Sequence, residues 1–185
     1  MSCSDPSLSF DDFLLAAAKN FEKQKIAYNS IPLSDCSGMF HRLAIAVKDF
    51  CPDYTYPEPE EARDTRALAR WYYDHNNLAI IQDAAASGQL IRPGSVMFFG
   101  NSEVKYTNIT IDKIAVKGGI EHMGTVVSVE KDKDGKVVAY TMFHGRNPSK
   151  PAGTTVHKLK NSNKKVPPYG NWTQQWVAVA NMATQ

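Results

Sequence analysis

The sequence has few cysteines, little net charge and no long apolar run, and each shortage excludes a class of protein. Three cysteines in 185 residues are too few, and odd in number, for a disulfide framework. A formal net charge of +2 gives no electrostatic indication of a nucleic-acid partner. No run of about 18 apolar residues predicts a membrane span. With 43% hydrophobic residues, the chain is expected to form a single globular domain over residues 1–185.

Helical patterns come first in the chain and strand patterns follow, which is the order typical of an α+β fold. Apolar stripes and capping residues predict helices over residues 9–25, 36–50, 64–73 and 77–87. Alternating and β-branched patterns predict strands over residues 95–100, 109–117, 123–131, 136–145 and 175–182. We expect residues 1–8 to form a flexible tail and residues 146–185 to form a C-terminal extension that completes the sheet.

The segment SDCSGMFHRL, residues 34–43, places Cys36 at the start of the second predicted helix. A helix N-terminus and a neighbouring histidine both lower the pKa of a thiol. We therefore expect Cys36 to be a nucleophile with a pKa below the value of about 8.5 that a free cysteine has. The alternative is a buried structural thiol, which is common for a lone cysteine. Cys3 and Cys51 are interpreted as incidental cysteines.

Two of the five histidines stand at matched places on one predicted hairpin. His122 opens one strand and His144 closes the next. A three-residue loop, 133–135, with Gly135 in a left-handed conformation would put both on the same face of the sheet. His122 can then act as a base that His144 orients. Zinc is a rival interpretation, but no fourth ligand stands at a suitable spacing, so neither a metal nor a cofactor is predicted.

Four segments, in this order along the chain, resemble the NlpC/P60 family of papain-like cysteine peptidases. They are DCSG (35–38), LIRPGSVMFF (90–99), EHMGTVVSV (121–129) and MFHG (142–145). The chain departs from the family pattern at Ser95, where the family has aspartate, and at Thr125, where it has an aliphatic residue. The resemblance implies a papain-like fold in which N-terminal helices pack on an antiparallel sheet.

The resemblance also implies a reaction and a place for it. The implied reaction is hydrolysis of amide bonds in peptidoglycan stem peptides, with Cys36 as nucleophile, His122 as base, His144 as its orienting partner and a thioester acyl-enzyme as intermediate. We expect a monomer in the cell envelope of a bacterium, either periplasmic, lipid-anchored or secreted. Its partners would be peptidoglycan or a peptide, and an inhibitory or immunity protein is a further candidate.

Six more residues are candidates for substrate binding. Arg63 and Thr65 are expected to line the cleft, because arginine binds carboxylates through two hydrogen bonds. The others are neighbours of the nucleophile or the base, or match the tyrosine upstream of the family's cysteine. The full set is Tyr28, Asp35, Ser37, Arg63, Thr65 and Glu121.

Two other functions fit the same residues. An acyltransferase or transamidase would use the same triad but pass the acyl group to an amine or alcohol instead of water. A cell-wall-binding module would keep the fold without catalysis, although Cys36, His122 and His144 together argue against it.

Overall fold

The structure is a computed structural model that describes residue 3 and residues 7–159 and 166–184. Its helices are α1 (Phe10–Lys23), α2 (Cys36–Phe50), α3 (Thr65–Asp74) and α4 (Ile111–Ile114). Its strands are β1 (Leu78–Ile80), β2 (Ser95–Gly100), β3 (Ile120–Lys131), β4 (Val137–His144), β5 (Gly153–Lys158) and β6 (Trp176–Asn181). The strands form one antiparallel sheet in the order β1-β6-β2-β3-β4-β5, so the predicted α+β class is confirmed.

The first two helices begin at side-chain caps, as predicted. The Ser9 hydroxyl accepts a hydrogen bond from the backbone N–H of Asp12 at the start of α1. The Asp35 carboxylate accepts one from the backbone N–H of Gly38, 2.7 Å away, at the start of α2. Helix α2 then buries the apolar stripe that runs from Cys36 to Phe50. The cap and the stripe together fix the end of α2 at which Cys36 lies.

The sheet is covered on both faces. Helices α1, α2 and α3 pack on one face, where Phe98 and Met123 belong to the main core. On the other face, Met97 and Phe99 join a second cluster that includes Tyr140, Tyr169 and Trp176. Because successive side chains of β2 enter different cores, this strand is a continuous apolar run and not an alternating one.

Two predicted elements were wrong. Residues 77–87, predicted as a helix, contain β1, because Asn76 adopts a left-handed conformation after α3 and Leu78 pairs with Ala180 of β6. Residues 109–117, predicted as a strand, contain the short helix α4. There the side chain of Gln82 pairs with the backbone of Ile109 and takes the place of a strand partner.

The interpretation of Cys3 and Cys51 as incidental was also wrong, because a disulfide joins them. The bond spans 48 residues and ties the N-terminal segment to the C-terminal end of α2. In the chain-entropy account, a loop of that length contributes about 4 kcal/mol to stability.

Apart from Cys3, the predicted tail lies outside the described residues up to residue 6. No helix within the described ranges combines the length and apolar character that crossing a bilayer requires.

Candidate active site

Cys36 lies at the first turn of α2, where the chain is packed tightly against the end of β4. Gly145 follows β4 directly, and a Cβ atom added to it would come 2.6 Å from the carbonyl oxygen of Asp35 and 2.9 Å from the nitrogen of Cys36. Only a residue without a side chain allows this approach. The glycine of the MFHG segment therefore brings the end of the strand that carries His144 against the start of the helix that carries Cys36.

His122 and His144 are joined by a hydrogen bond between buried rings. His122 Nε2 lies 2.7 Å from His144 Nδ1, and the ring planes are nearly perpendicular, at 76°. The Nε2 of His144 lies in turn 2.9 Å from the hydroxyl oxygen of Thr155 on β5. The result is a continuous hydrogen-bonded line from His122 through His144 to Thr155.

The hairpin register that the sequence predicts is present in the structure. Gly135 has a φ of +79°, and the loop 133–135 is closed by a hydrogen bond from the backbone N–H of Asp132 to the carbonyl of Lys136. The register shifts once after Val126 and back again before Lys131, so the two shifts cancel at the histidine end. Both histidines therefore lie on one face.

The Cys36 thiol is close to the base strand. The backbone N–H groups of Met123, the residue after His122, and of Ser37 favour the ionised form of the thiol and so lower its pKa. Burial raises the pKa of Tyr28 to about 12, and the nearby Cys36 and Asp35 act in the same direction. Cys36 therefore lies between the start of α2, Tyr28 and the first residues of β3.

Three of the candidate binding residues form one network beside Cys36. Arg63 donates to the Ser37 hydroxyl over 2.9 Å and to the Asp35 carboxylate over 3.1 Å. That carboxylate also caps α2, so the guanidinium of Arg63 is held by the two residues that flank Cys36. The Arg63 side chain remains 46% exposed and can still meet an anionic group of a ligand.

A cleft of about 640 Å³ opens over the two histidines. Tyr28 and Glu121 line it, as expected of binding residues. Further lining residues come from the segments that follow β4, from β5 and from the loop before β6; they include Arg146, Lys150, Thr155, Val156, Asn171 and Trp172. Cys36 is only 6% exposed and is not itself a lining residue. Tyr28 lines the cleft and also interacts electrostatically with the Cys36 thiol.

Neither Arg63 nor Thr65 lines the cleft over the histidines, contrary to expectation. The side chain of Thr65 is buried, and its hydroxyl donates to the carbonyl of Ile120 over 3.3 Å. Thr65 is the first residue of α3, so this bond ties that helix to the start of β3.

The expected lowering of the pKa of Cys36 is contradicted by the environment of the thiol. Burial raises the pKa of Cys36 to about 11, and the negative charge of Asp35 adds to the effect. Backbone N–H groups at the helix start oppose this rise but are outweighed. Desolvation wins because the thiol is packed in the core and the nearby histidine carries no charge to offset it.

The two histidines are neutral at pH 7 for the same reason. Burial lowers the pKa of His122 to about 4, with a smaller contribution from His157. Burial also lowers the pKa of His144 well below its usual range, and His122, His157 and Arg146 act in the same direction. At rest the site therefore holds a protonated thiol and two neutral imidazoles.

Acidification from pH 7 to pH 4 is expected to destabilise the protein. Since the pKa of His122 falls from 6.5 to about 4 on folding, the unfolded chain binds more protons than the folded chain across that window. The contribution of His122 to the free energy of unfolding is fully present above pH 6.5. It decreases toward pH 4, by up to about 3 kcal/mol for this one group. Urea unfolding between pH 4 and pH 7 measures the loss, which should be smaller in His122→Gln. Equal losses in both proteins would contradict the assignment.

Sequence reasoning missed several residues of the site. His157 was not selected, yet it is buried on β5, stacked on Tyr140 with ring centroids 5.1 Å apart, and 6.4 Å from the ring of His144. Thr155 was missed because β5 was not predicted, although the β-branched run in GTTVHK indicates a strand. Trp172, 74% exposed at the cleft with a left-handed backbone, had no signal in the sequence.

Similarity to known proteins is found among solved structures and not among sequences. No family model matches the chain, and no curated protein matches it. Among solved structures, the chain is similar to an NlpC/P60 endopeptidase from Photobacterium damselae subsp. piscicida, with 13% identity and a TM-score of 0.42. The match covers 80% of this chain and 33% of that protein, so this chain spans about a third of the length of its neighbour.

Within the described residues, no group of three or more His, Cys, Asp or Glu side chains is arranged to hold a metal ion.

Proposed function

We propose that this protein is a cysteine peptidase or amidase that acts through Cys36, His122 and His144. The observation that supports it most is the 2.7 Å hydrogen bond between the two buried histidines. The backbone N–H of Met123, the residue after His122 on β3, favours the ionised form of the Cys36 thiol. A buried pair of imidazoles costs desolvation free energy that a purely structural hairpin does not require. The helix start at Cys36 adds backbone N–H groups that can bind an oxyanion.

The proposed reaction begins from the neutral thiol and neutral imidazole. His122 Nδ1 takes the proton of Cys36 as the sulfur attacks the amide carbonyl, and the carbonyl oxygen becomes an oxyanion held by the N–H of Cys36. The C–N bond then breaks, the amine leaves with the proton from His122, and a thioester remains. Water attacks the thioester with His122 again as base, which releases the acid and restores the thiol. His144 keeps the His122 ring in the orientation that these steps need.

The proposed substrate is a stem peptide of bacterial peptidoglycan, and the proposal of this substrate rests on the four motifs of the sequence. The cleft is compatible with such a peptide. It offers cationic side chains, Arg146 and Lys150, for carboxylates and an exposed indole, Trp172, for an apolar or ring-shaped group. Arg63, held by Asp35 and the buried Ser37, would contact the substrate beside Cys36.

The proposed location is the bacterial cell envelope or the medium outside it. The disulfide between Cys3 and Cys51 supports this proposal, because disulfides persist in oxidising compartments and are rare in the cytosol. Peptidoglycan is found in that same location. An inhibitory or immunity protein that covers the cleft would be a suitable partner in a cell that must protect its own wall.

Digestion of purified peptidoglycan fragments, followed by mass spectrometry, tests the proposed function. We expect wild-type protein to produce fragments that have gained one water across a stem-peptide amide bond, and Cys36→Ala to produce none. In a parallel reaction with an added amine, products that carry the amine would indicate transamidation instead. Intact fragments after digestion with folded wild-type protein would contradict the proposal.

A further inference from the structure

Thr155 contacts His144 on the side of the ring away from His122. A neutral imidazole has one N–H and one unprotonated nitrogen, so the tautomer of each ring decides which atom can act as a base. His122 and His144 are bonded to each other, and His144 is bonded to Thr155 at its other nitrogen, 2.9 Å away. The proton positions in the two rings are therefore linked.

We propose that Thr155 is a positioning residue that, together with the Cys36 thiol at the other end of the hydrogen-bonded line, fixes the tautomers of both histidines. In this role the Thr155 hydroxyl accepts a hydrogen bond from the Nε2–H of His144. The Nδ1 of His144 is then unprotonated and accepts from the Nε2–H of His122. The Nδ1 of His122 is consequently the free base, as the proposed reaction needs. This inference rests on the proposed function for its catalytic consequence, but not for the tautomers themselves.

If each of these hydrogen bonds were donated in the opposite direction, His122 could not act as the base. If Thr155 donated to His144 Nε2, the His144 proton would lie on Nδ1 and would be donated to His122 Nε2. The proton of His122 would then lie on Nδ1, where it could not accept one from Cys36. A threonine hydroxyl can donate or accept, so Thr155 alone does not choose between these directions.

Cys36, at the His122 end of this hydrogen-bonded line, favours the direction that leaves His122 Nδ1 unprotonated. The Cys36 thiol keeps its proton at neutral pH, because it is buried beside Asp35. In the proposed site this S–H group is a donor that needs an acceptor at His122 Nδ1. A donor at that end and an acceptor at Thr155 give one uniform direction, in which each hydrogen bond polarises the next. Both imidazoles stay neutral because they are buried, so each carries a single proton to place.

Nitrogen-15 NMR of histidine-labelled protein tests the inference without any substrate. We expect wild-type His122 and His144 both to be Nε2–H tautomers at pH 7. In Thr155→Val, which keeps the shape of the residue but not its hydroxyl, the buried Nε2–H of His144 has no acceptor. The tautomer ratio of His144 should therefore shift toward Nδ1–H by about tenfold, since a buried unsatisfied donor is costly. Thr155→Ser should restore the wild-type ratio. A matched control is Thr141→Val, the same change on the neighbouring strand β4 and outside the cleft.

Turnover of the wall fragment adds a second measurement. We expect kcat of Thr155→Val to fall about tenfold with KM unchanged, and Thr155→Ser to recover most of the loss. An Nδ1–H tautomer of His144 in the wild type, unchanged rings in Thr155→Val, or equal turnover losses in Thr155→Val and Thr155→Ser would overturn the inference. If the tautomers behave as expected and no fragment is cleaved by the wild type, the proposed function fails while the proton arrangement stands.

Discussion

Cys36→Ala is expected to reduce turnover of stem-peptide fragments by about 10⁴-fold or more, because no other group in the site can form the thioester. The two remaining cysteines form a disulfide, so no thiol remains in this variant. The fold should persist. Loss of one buried sulfur resembles the removal of a methyl group from a core, which costs about 1 kcal/mol.

The measurement is kcat for wild type and variant with the released fragments counted by mass spectrometry. Thermal unfolding of both proteins is the control, since the variant must be folded for the result to bear on chemistry. Cys36→Ser is a second comparison, because an alcohol has nearly the shape of the thiol but is a much weaker nucleophile beside a neutral histidine. Wild-type turnover in Cys36→Ala would mean that another group performs the attack.

His122→Ala is expected to lower kcat by about 10³-fold to 10⁴-fold, the range in which a single general base contributes. Both proton transfers of the proposed reaction pass through His122, so the loss includes activation of the thiol and protonation of the leaving amine. Because the resting thiol has a pKa near 11, it cannot supply an appreciable thiolate by itself at pH 7. Raising the pH should therefore partly rescue the variant.

Replacements of His144 separate orientation from base catalysis. His144→Gln keeps a side-chain oxygen that can accept from His122, so it should retain more activity than His144→Ala. His75→Gln is a matched control, because His75 is exposed at the end of α3 and stacks on Trp71, far along the chain from the site. If His144→Gln and His144→Ala lose equal activity, His144 does not orient His122.

Where a local signal controlled the structure, the sequence was sufficient to predict it. Capping residues and the apolar stripe predict the bounds of α2, and the helix does run over Cys36–Phe50. Gly135 and its three-residue loop give the parity of the hairpin, and this parity holds at the two histidines because the two register shifts along the strands cancel. Both results follow from periodicity and turn chemistry, which depend on neighbours in the chain.

Features that depend on distant contacts were not predictable. The disulfide needed Cys3 to reach the end of α2, and the spacing of three cysteines carries no information about that approach. The pKa of Cys36 depended on how completely the core excludes water from the helix start, and a helix-end argument from sequence leaves this burial out. The same holds for Thr155, which reaches His144 only because β5 pairs with β4.

A neutral resting pair changes how the site would be activated. A cysteine peptidase with a preformed thiolate–imidazolium pair reacts rapidly with alkylating agents near neutral pH. In the proposed reaction, the buried thiol gives its proton to the imidazole only as the sulfur attacks. We therefore expect slow alkylation of Cys36 at pH 7. The exposed part of the cleft would bind the substrate first and exclude water before the proton moves.

The most direct test of the central claim is to trap the acyl-enzyme. Wild-type protein is mixed with a defined stem peptide, quenched in acid within milliseconds to seconds, digested and examined by mass spectrometry. The account predicts that the peptide containing Cys36 gains the mass of the acyl part of the substrate, and that the adduct is removed by hydroxylamine as a thioester. Cleavage that proceeds with no adduct at any time point, or with an adduct on a different residue, would contradict it.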